Sequence, residues 1–285
     1  MSIGPLVDVA TLARELGRAD WVVVDCRFTL TNAAAGKAAY DSGHIPGARY
    51  AHLDDDLARP PAAHEGRHPL PDPERFAATL GSLGIAAGDT VVAYDEGSGA
   101  IAARLWWLLG WLGHERRAVL DGGFAAWQAA GLPVEQRAPA FAARRYEPRR
   151  APQPDAVVTT SEIERVVAAG DLLVDARAAA RYRGEQEPID PKAGHVPGAR
   201  NRPFSDNLTA DGRFRSPAEL RAELGELLGG RRPEQLVAMC GSGVTACHLL
   251  LAMEVAGLSG GRLYAGSWSE WIRDAARPIA TGPEP

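Results

Sequence analysis

The chain has 285 residues, of which 46% are hydrophobic and 24% charged, as expected of a globular protein with one large domain or two ordinary ones. Its net charge of −5 and pI of about 5.8 lack the basic excess that nucleic-acid binding needs, which excludes nucleic acid as a partner. No apolar run is long enough to span a bilayer, and the N-terminal stretch has no basic region followed by an apolar core. We therefore predict no membrane partner and a cytoplasmic location.

The first half of the chain alternates helical and strand-like segments. A helix is predicted over DVATLARELG at 8–17, and a buried strand over WVVVD at 21–25. Further on, the pattern predicts a helix at 72–84, a strand at 89–94, a helix at 98–113, a strand at 117–121 and a helix at 123–131. Because the strands are uninterrupted apolar runs, the alternation indicates a parallel sheet with helices on both faces.

The second half repeats the first in four blocks that keep their order and nearly constant separation. The pairs are VVVDCRF at 22–28 with LLVDARA at 172–178, SGHIPGARY at 42–50 with AGHVPGARN at 193–201, TVVAYDEGSGA at 90–100 with QLVAMCGSGVT at 235–245, and VLDGGFAAW at 119–127 with LYAGSWSEW at 263–271. A period this long indicates a duplicated domain rather than a solenoid. We predict two α/β domains at 1–140 and 155–285, joined by a Pro- and Arg-rich linker at 141–154.

Cys240 ends a predicted strand and is followed by a glycine-rich turn and then a helix. Such a turn can aim its N–H groups at one point, and the helix adds the positive end of its dipole, so the sulfur would be held as a nucleophilic thiolate. The residues expected to bind the substrate or the sulfur anion are Gly241, Ser242, Gly243, Val244 and Thr245. A buried, inert cysteine is the alternative. The matching residue of the first half is Asp95, so that domain is predicted to be structural.

The other cysteines, Cys26 and Cys247, are interpreted as structural. Three cysteines without a CxxC pair argue against a disulfide framework. Cys240 and Cys247 with the neighbouring His248 lack the ligand count and spacing of a zinc site, so we predict no metal and no cofactor.

The motifs CGSGVTA, two copies of GH[IV]PGA, the strand ends VD[CA]R and LDGG..AW resemble the two-domain rhodanese-type sulfurtransferases over nearly the whole chain. The cysteine loop is closest to that of the 3-mercaptopyruvate group, because Gly241 and Ser242 stand where thiosulfate enzymes carry cations. The resemblance implies tandem rhodanese-like domains and a persulfide on Cys240. A small-molecule donor would load this sulfur, and an acceptor such as cyanide, a thiol or thioredoxin would remove it.

The resemblance also implies substrate-binding cations. Arg181 matches a substrate-binding arginine of the family, but Ile189 stands where its mercaptopyruvate enzymes often carry a second one. Arg183 and Lys192 are the neighbouring cations that could compensate. The donor preference is therefore open between mercaptopyruvate and thiosulfate.

A serine, a histidine and an acid are further implied as catalytic partners. Ser242 matches the serine and His44 in SGHIPGA matches the histidine, whereas the acid is not placed. A structural role is the alternative for His44, because His195 occupies the matching position of the second half. We interpret two Asp–Arg pairs as structural ion pairs, Asp25 with Arg27 and Asp175 with Arg177.

Three functions are compatible with these residues. The first is sulfur transfer from 3-mercaptopyruvate through Cys240, the second is thiosulfate:cyanide transfer through the same persulfide, and the third is a sulfur carrier or binding module without turnover. A cysteine phosphatase is disfavoured, because Ala246 stands where the phosphate-clamping arginine would lie.

Overall fold

The computed structural model describes residues 3–285 and divides them into two units. The first unit consists of the residues up to Arg59, Leu70–Gln153 and Ala210–Phe214, and the second of Pro60–Pro69, Pro154–Thr209 and Arg215–Pro285. The change of unit after Gln153 lies at the end of the predicted linker. None of the helices among residues 3–285 is long and apolar enough to cross a membrane.

The first unit is built on a five-stranded parallel sheet with the order β1-β5-β4-β2-β3. Its strands are β1 (Leu6–Val7), β2 (Trp21–Asp25), β3 (Arg49–Tyr50), β4 (Thr90–Tyr94) and β5 (Arg117–Leu120). Its helices are α1 (Val9–Glu15), α2 (Ala34–Ser42), α3 (Pro73–Ser82), α4 (Ala102–Trp111) and α5 (Gly123–Ala129). The predicted alternation is confirmed, and the structure adds α2 and the two-residue strands β1 and β3.

The second unit repeats this architecture, with a parallel sheet in the order β6-β10-β9-β7-β8. Its strands are β6 (Val157–Val158), β7 (Leu172–Asp175), β8 (Arg200–Asn201), β9 (Leu236–Met239) and β10 (Arg262–Tyr264). Its helices are α6 (Ile163–Ala168), α7 (Ala179–Tyr182), α8 (Pro217–Leu228), α9 (Thr245–Val255) and α10 (Ser267–Trp271). The two orders correspond strand for strand, which confirms the duplicated α/β fold.

The apolar runs form the interior strands, as their sequence predicts. Every residue of β9 is buried, and β9 pairs with β10 on one side and β7 on the other. Helix starts follow from local chemistry: Ser216 and Glu219 form a capping box at α8, each bonding the other's backbone N–H. Because β9 is central, the residue that follows it stands at the carboxyl edge of the sheet, where ligands of open parallel sheets bind.

The predicted linker is packed against the first unit rather than free. The amide of Arg144 donates to the carbonyl of Gly81 on α3 at 2.9 Å, and its guanidinium pairs with Asp89 at 2.7 Å. A side chain at Gly81 would lie 2.4 Å from the carbonyl oxygen of Arg144, so this helix position needs a glycine. Tyr146 is buried and contacts His114. Residues 141–153 therefore belong to the first unit, because their backbone and side chains bond α3 and its neighbourhood.

The segment 60–69 belongs to the second unit, although we predicted it as part of the first domain. The amide of Gly66 donates to Glu270 Oε2 at 3.2 Å, and the amide of Arg67 donates to Ser269 Oγ at 3.1 Å. These bonds attach the segment to α10, beside the cysteine loop. No local pattern predicts this placement, because the segment has no apolar periodicity and its partners lie far along the chain.

Candidate active site

Cys240 directly follows β9 and is 2% exposed. Its amide donates to Ser267 Oγ at 3.1 Å, and its carbonyl accepts from the amide of Trp268 at 3.0 Å. The next carbonyl, that of Gly241, accepts from the amide of Ser269 at 2.9 Å. The cysteine loop, residues 240–244, is thus bonded to the first turn of α10. The predicted position of the sulfur at a strand end is confirmed.

Ser267 has the sole positive φ among the described non-glycine residues, at 53°. Its hydroxyl is fully buried, donates to the carbonyl of Tyr264 at 2.8 Å and accepts from the Cys240 amide. The matching residue of the first unit is Gly123, with φ of 56°. A serine in this conformation is strained by about 1 kcal/mol, and in return its hydroxyl fixes the backbone of the cysteine.

The loop curls at Gly243, which has φ of 74° and whose Cβ would lie 2.5 Å from the carbonyl oxygen of Ala265. A side chain here is excluded by both conformation and space. Within residues 3–285, the N–H groups of Ser242 and Val244 have no described protein acceptor. These donors stand at the start of α9, as the predicted anion-binding loop requires. Direct contacts from Gly241, Gly243, Val244 and Thr245 to a donor stay predictions.

The first unit shows what this loop conformation binds. At the position of the cysteine, the buried carboxylate of Asp95 accepts the N–H groups of Gly97 at 3.1 Å, Gly99 at 2.9 Å, Ile101 at 2.8 Å and Ala102 at 3.2 Å. These four backbone N–H groups form a nest, and in the first unit the nest is filled by a carboxylate that the chain itself supplies. The matching loop of the second unit carries a thiol instead, so an ionised sulfur can take the place of the carboxylate.

Ser242 is hydrogen-bonded to His68, with 2.7 Å between the hydroxyl and Nδ1 of the ring. Both side chains are buried, and His68 lies in the segment 60–69. We predicted His44 as this partner, and that pairing is wrong. His68 was missed because it lies in the sequence RHPLP, outside the four repeated blocks, and nothing in that sequence indicates a catalytic role.

His44 has a structural position in the first unit. Its ring is fully buried, its Nδ1 lies 2.8 Å from the carbonyl oxygen of Tyr40, and it stacks on that tyrosine at 4.0 Å. His195 makes the same contacts with Tyr182, at 2.9 Å and 3.8 Å. The same buried histidine occurs in both units, although the first unit has Asp95 in place of the loop cysteine, so His44 and His195 hold the turn rather than the substrate.

The predicted structural ion pairs are confirmed. Arg177 pairs with Asp175 at 2.6 Å and donates to the carbonyl of Gly194 at 2.7 Å. Arg27 and Asp25 repeat the pair in the first unit, also at 2.6 Å. Burial lowers the pKa of Arg177, but Asp175 and the other negative groups, Cys240 included, raise it by more, so the net shift is upward. The guanidinium therefore stays charged at its buried place between Asp175 and the turn at Gly194.

Two arginines approach the loop at Gly241. Arg181 uses Nε and Nη2 to bond Glu187, at 3.1 Å and 2.7 Å, and its Nη2 also reaches Asp190 at 3.1 Å. Arg67 bonds the other oxygen of Asp190 through Nη1. A methyl group on Gly241 would lie 3.0 Å from Nη2 of Arg67 and 3.5 Å from Nη2 of Arg181. The glycine leaves this space open.

The other cations considered for the donor lie elsewhere. Arg183 pairs with Glu185 at 2.7 Å, and Ile189 is 37% exposed with no cation in its place. The side chain of Lys192 has no described contact, although its carbonyl accepts from the indole of Trp268 at 2.9 Å. Among residues 3–285, no cluster of three His, Cys, Asp or Glu side chains is arranged to hold a metal ion.

Comparison with known proteins defines the class. The model of the rhodanese-like domain matches residues 8–130 and 159–274, and the chain belongs to this family of sulfurtransferases. It is 47% identical to a "Probable 3-mercaptopyruvate sulfurtransferase" of Pseudomonas aeruginosa over 287 residues, which cover 99% of this chain and 100% of the relative. It is 38% identical to a "Putative thiosulfate sulfurtransferase SseB" of Mycobacterium tuberculosis over 294 residues, 97% of each chain. The solved structure of the 3-mercaptopyruvate sulfurtransferase from Leishmania major superimposes with a TM-score of 0.82 at 31% identity, covering 94% of this chain and 74% of that one.

Proposed function

We propose that this sulfurtransferase takes sulfur from 3-mercaptopyruvate as a persulfide on Cys240 and passes it to a thiol or to cyanide. The observation that carries the choice of donor is the 2.7 Å hydrogen bond between His68 and Ser242, within the loop that begins at the cysteine. The relatives named 3-mercaptopyruvate sulfurtransferase support the same choice.

The first half-reaction needs a proton. The Cys240 thiolate attacks the sulfur of mercaptopyruvate, an S–S bond forms, and the C–S bond breaks. The electron pair leaves on carbon as the enolate of pyruvate, which must gain a proton at that carbon. The Ser242 hydroxyl can give this proton and recover it from the His68 ring, since the two groups are hydrogen-bonded. The products are pyruvate and the persulfide Cys–S–SH.

Thiosulfate is the second candidate, because two guanidinium groups lie beside Gly241 and one relative is named for that donor. Thiosulfate transfer releases sulfite, which needs no proton but does need positive charge next to the sulfur. Here both guanidinium groups, Arg67 and Arg181, are paired with carboxylates. A hydroxyl–imidazole pair with neutralised cations suits a donor with one carboxylate better than a dianion.

The second half-reaction regenerates the thiolate of Cys240. A nucleophilic acceptor attacks the outer sulfur, the bond between the two sulfurs breaks, and Cys240 leaves as a thiolate into the loop. Cyanide gives thiocyanate, and a thiol gives a persulfide that a second thiol resolves into a disulfide and hydrogen sulfide. A small thiol or a thioredoxin-like protein is the acceptor class we propose, and a cytoplasmic location fits three free, buried cysteines.

The donor comparison tests this function. With cyanide as acceptor, we expect kcat/KM to be higher for mercaptopyruvate than for thiosulfate. A thiosulfate preference would overturn the donor and leave the persulfide. Repeated turnovers separate an enzyme from a carrier, which loads only once.

The cysteine is tested by matched variants. We expect Cys240→Ser to abolish transfer and Cys247→Ser to retain it, because Cys247 is buried in α9 and its sulfur bonds the carbonyl of Gly243 at 3.3 Å. Mass spectrometry of the intact protein should show one added sulfur atom only while Cys240 is present. Transfer by the Cys240→Ser variant would end the persulfide account.

A further inference from the structure

We propose that Glu270 is a positioning residue for sulfur transfer: its carboxylate fixes the segment 60–69 and so places His68 against Ser242. The inference rests on the proposed function in one respect, that His68 returns a proton to Ser242. Within residues 3–285, Glu270 forms no described bond with Ser242 or with Cys240. Its effect on the reaction is therefore exerted through the histidine.

Two side chains of α10 hold successive amides of the segment 60–69. The amide of Gly66 donates to Glu270 Oε2 at 3.2 Å, and the amide of Arg67 donates to Ser269 Oγ at 3.1 Å. A side chain at Gly66 would lie 2.5 Å from the carbonyl oxygen of Gly266 and 2.9 Å from Ser269 Oγ. The backbone of the segment therefore lies directly on the start of α10, in a place that only a glycine can occupy.

The carboxylate of Glu270 is itself held from the other side. Its Oε1 accepts the hydroxyl of Thr160, which lies just after β6, and this hydroxyl is 2.9 Å from that of Tyr264 on β10. Both Thr160 and Tyr264 are buried. One oxygen of the carboxylate is thus fixed by a buried hydroxyl, and the other is presented to the amide of Gly66 in a defined direction.

The first unit replaces every polar side chain of this network by an apolar one. The alignment follows from the repeated blocks at 119–127 and 263–271 and from the matching strand pairs, β1 with β5 and β6 with β10. The corresponding residues are Val9 for Thr160, Leu120 for Tyr264, Ala125 for Ser269 and Ala126 for Glu270. Because β1, β5 and α5 form with these apolar residues, the duplicated fold does not need the polar ones. They occur in the unit that contains the cysteine and the segment 60–69.

The bond at Gly66 is close enough to His68 to set the position of its ring. The two residues are separated by one position, a span of at most about 7 Å along the backbone. Nδ1 of His68 lies 2.7 Å from Ser242 Oγ, and a hydrogen bond is lost beyond about 3.5 Å. A shift of about 1 Å therefore separates the pair, and a misplacement of this size can slow a reaction about 100-fold.

The position of His68 can be measured without any sulfur donor. Diethyl pyrocarbonate carbethoxylates accessible imidazole nitrogens, and the rings of His68 and His195 are both buried. Peptide mass spectrometry of the full chain gives the labelling rate of each histidine. We expect Glu270→Ala to raise the rate at His68 about tenfold, the value of one hydrogen bond to a carboxylate, and to leave His195 unchanged. Glu270→Gln, which keeps one acceptor oxygen, should fall in between.

The matched control is Glu226→Ala, which removes an exposed carboxylate of α8 that has no side-chain partner among residues 3–285. Its labelling rate at His68 should equal that of the unaltered protein. An unchanged rate at His68 in Glu270→Ala would overturn the inference. So would an equal rise at His68 and His195, because that result would mean that the carboxylate only stabilises the unit as a whole.

Turnover gives the second readout. With mercaptopyruvate, Glu270→Ala should lower kcat about tenfold and change KM little, because the residue acts on proton transfer and not on donor binding. In the His68→Gln protein, the same substitution should change kcat less than about twofold, and a full tenfold loss there would overturn the inference. If mercaptopyruvate is a poor substrate of the unaltered protein, the proposed donor fails, while a tenfold rise in labelling still supports the role of Glu270. If mercaptopyruvate is turned over and the labelling does not respond, the role of Glu270 fails alone.

Discussion

The nest of the first unit can be tested by removing its anion. Asp95 is buried and its carboxylate accepts four backbone N–H groups, between 2.8 and 3.2 Å. Each N–H left without an acceptor costs at least about 1 kcal/mol, so Asp95→Ala should destabilise the first unit by about 4 kcal/mol. Asp95→Asn keeps one acceptor oxygen and should lose about 2 kcal/mol. For a unit of this size, the larger loss corresponds to a fall in Tm of about 10 °C.

Scanning calorimetry of the full chain measures these shifts. Glu96→Ala is the matched control, because this neighbouring carboxylate is 72% exposed and should move Tm little. Added formate should raise the Tm of the Asp95→Ala variant and leave the unaltered protein unchanged, since it restores a carboxylate to the vacant loop. If Asp95→Ala unfolded with the Tm of the unaltered protein, the loop would not need an anion, and the reasoning applied to Cys240 would fail with it.

Four further outcomes are expected. His68→Gln should lower mercaptopyruvate turnover about 100-fold and leave cyanolysis of a preformed persulfide unchanged, since only the first half-reaction needs a proton; equal losses in both would contradict this role. Gly243→Ala should lower the free energy of unfolding by more than about 3 kcal/mol, as a defect in the core does, because there is no space for its Cβ. A thermal melt with the Tm of the unaltered protein would contradict this. Ser267→Gly should relieve strain yet slow transfer by about tenfold, as the Cys240 amide loses its acceptor, and unaltered kinetics would contradict it. Burial raises the pKa of Glu187, but the hydrogen bonds from Arg181 lower it by more, so the net shift is downward from 4.5. The stability that the ionised Glu187 contributes, and that Glu187→Gln removes, should therefore be full above pH 4.5 and vanish as the pH falls through the lowered pKa. A difference in Tm between the two proteins that stayed constant with pH would contradict this.

The sequence predicted those features that local pattern or repetition encodes. Interior strands such as β9 are continuous apolar runs, and the four repeated blocks placed corresponding strands in both halves. The strand-to-helix loop at Cys240 was readable because glycines and a following helix carry the geometry. Two-residue strands such as β1 and β3 could not be predicted, since they are too short to show a period. Helix α2 could not be predicted either, because it lacks an apolar stripe.

The site was less predictable because half of it comes from elsewhere in the chain. His68 lies outside the four repeated blocks, and its contact with Ser242 joins residues that are 174 positions apart in the chain. His44 was predicted as catalytic from the family resemblance, but the GH[IV]PGA motif in which it lies encodes a turn that both units need. Sequence identifies a residue's type and neighbours, whereas a partner more than a hundred residues away is set by the tertiary fold.

The placement of the segment 60–69 has a consequence for how the duplicated halves can be divided. A polypeptide severed at the apparent linker would keep the cysteine and its loop in the C-terminal fragment but would leave His68 and Arg67 behind in the N-terminal one. The two halves of the sequence are therefore not interchangeable, because the half without the nucleophilic cysteine contributes His68 to the unit that has it. This contribution gives a duplicated protein a reason to keep both copies on one polypeptide after only one of them performs the chemistry.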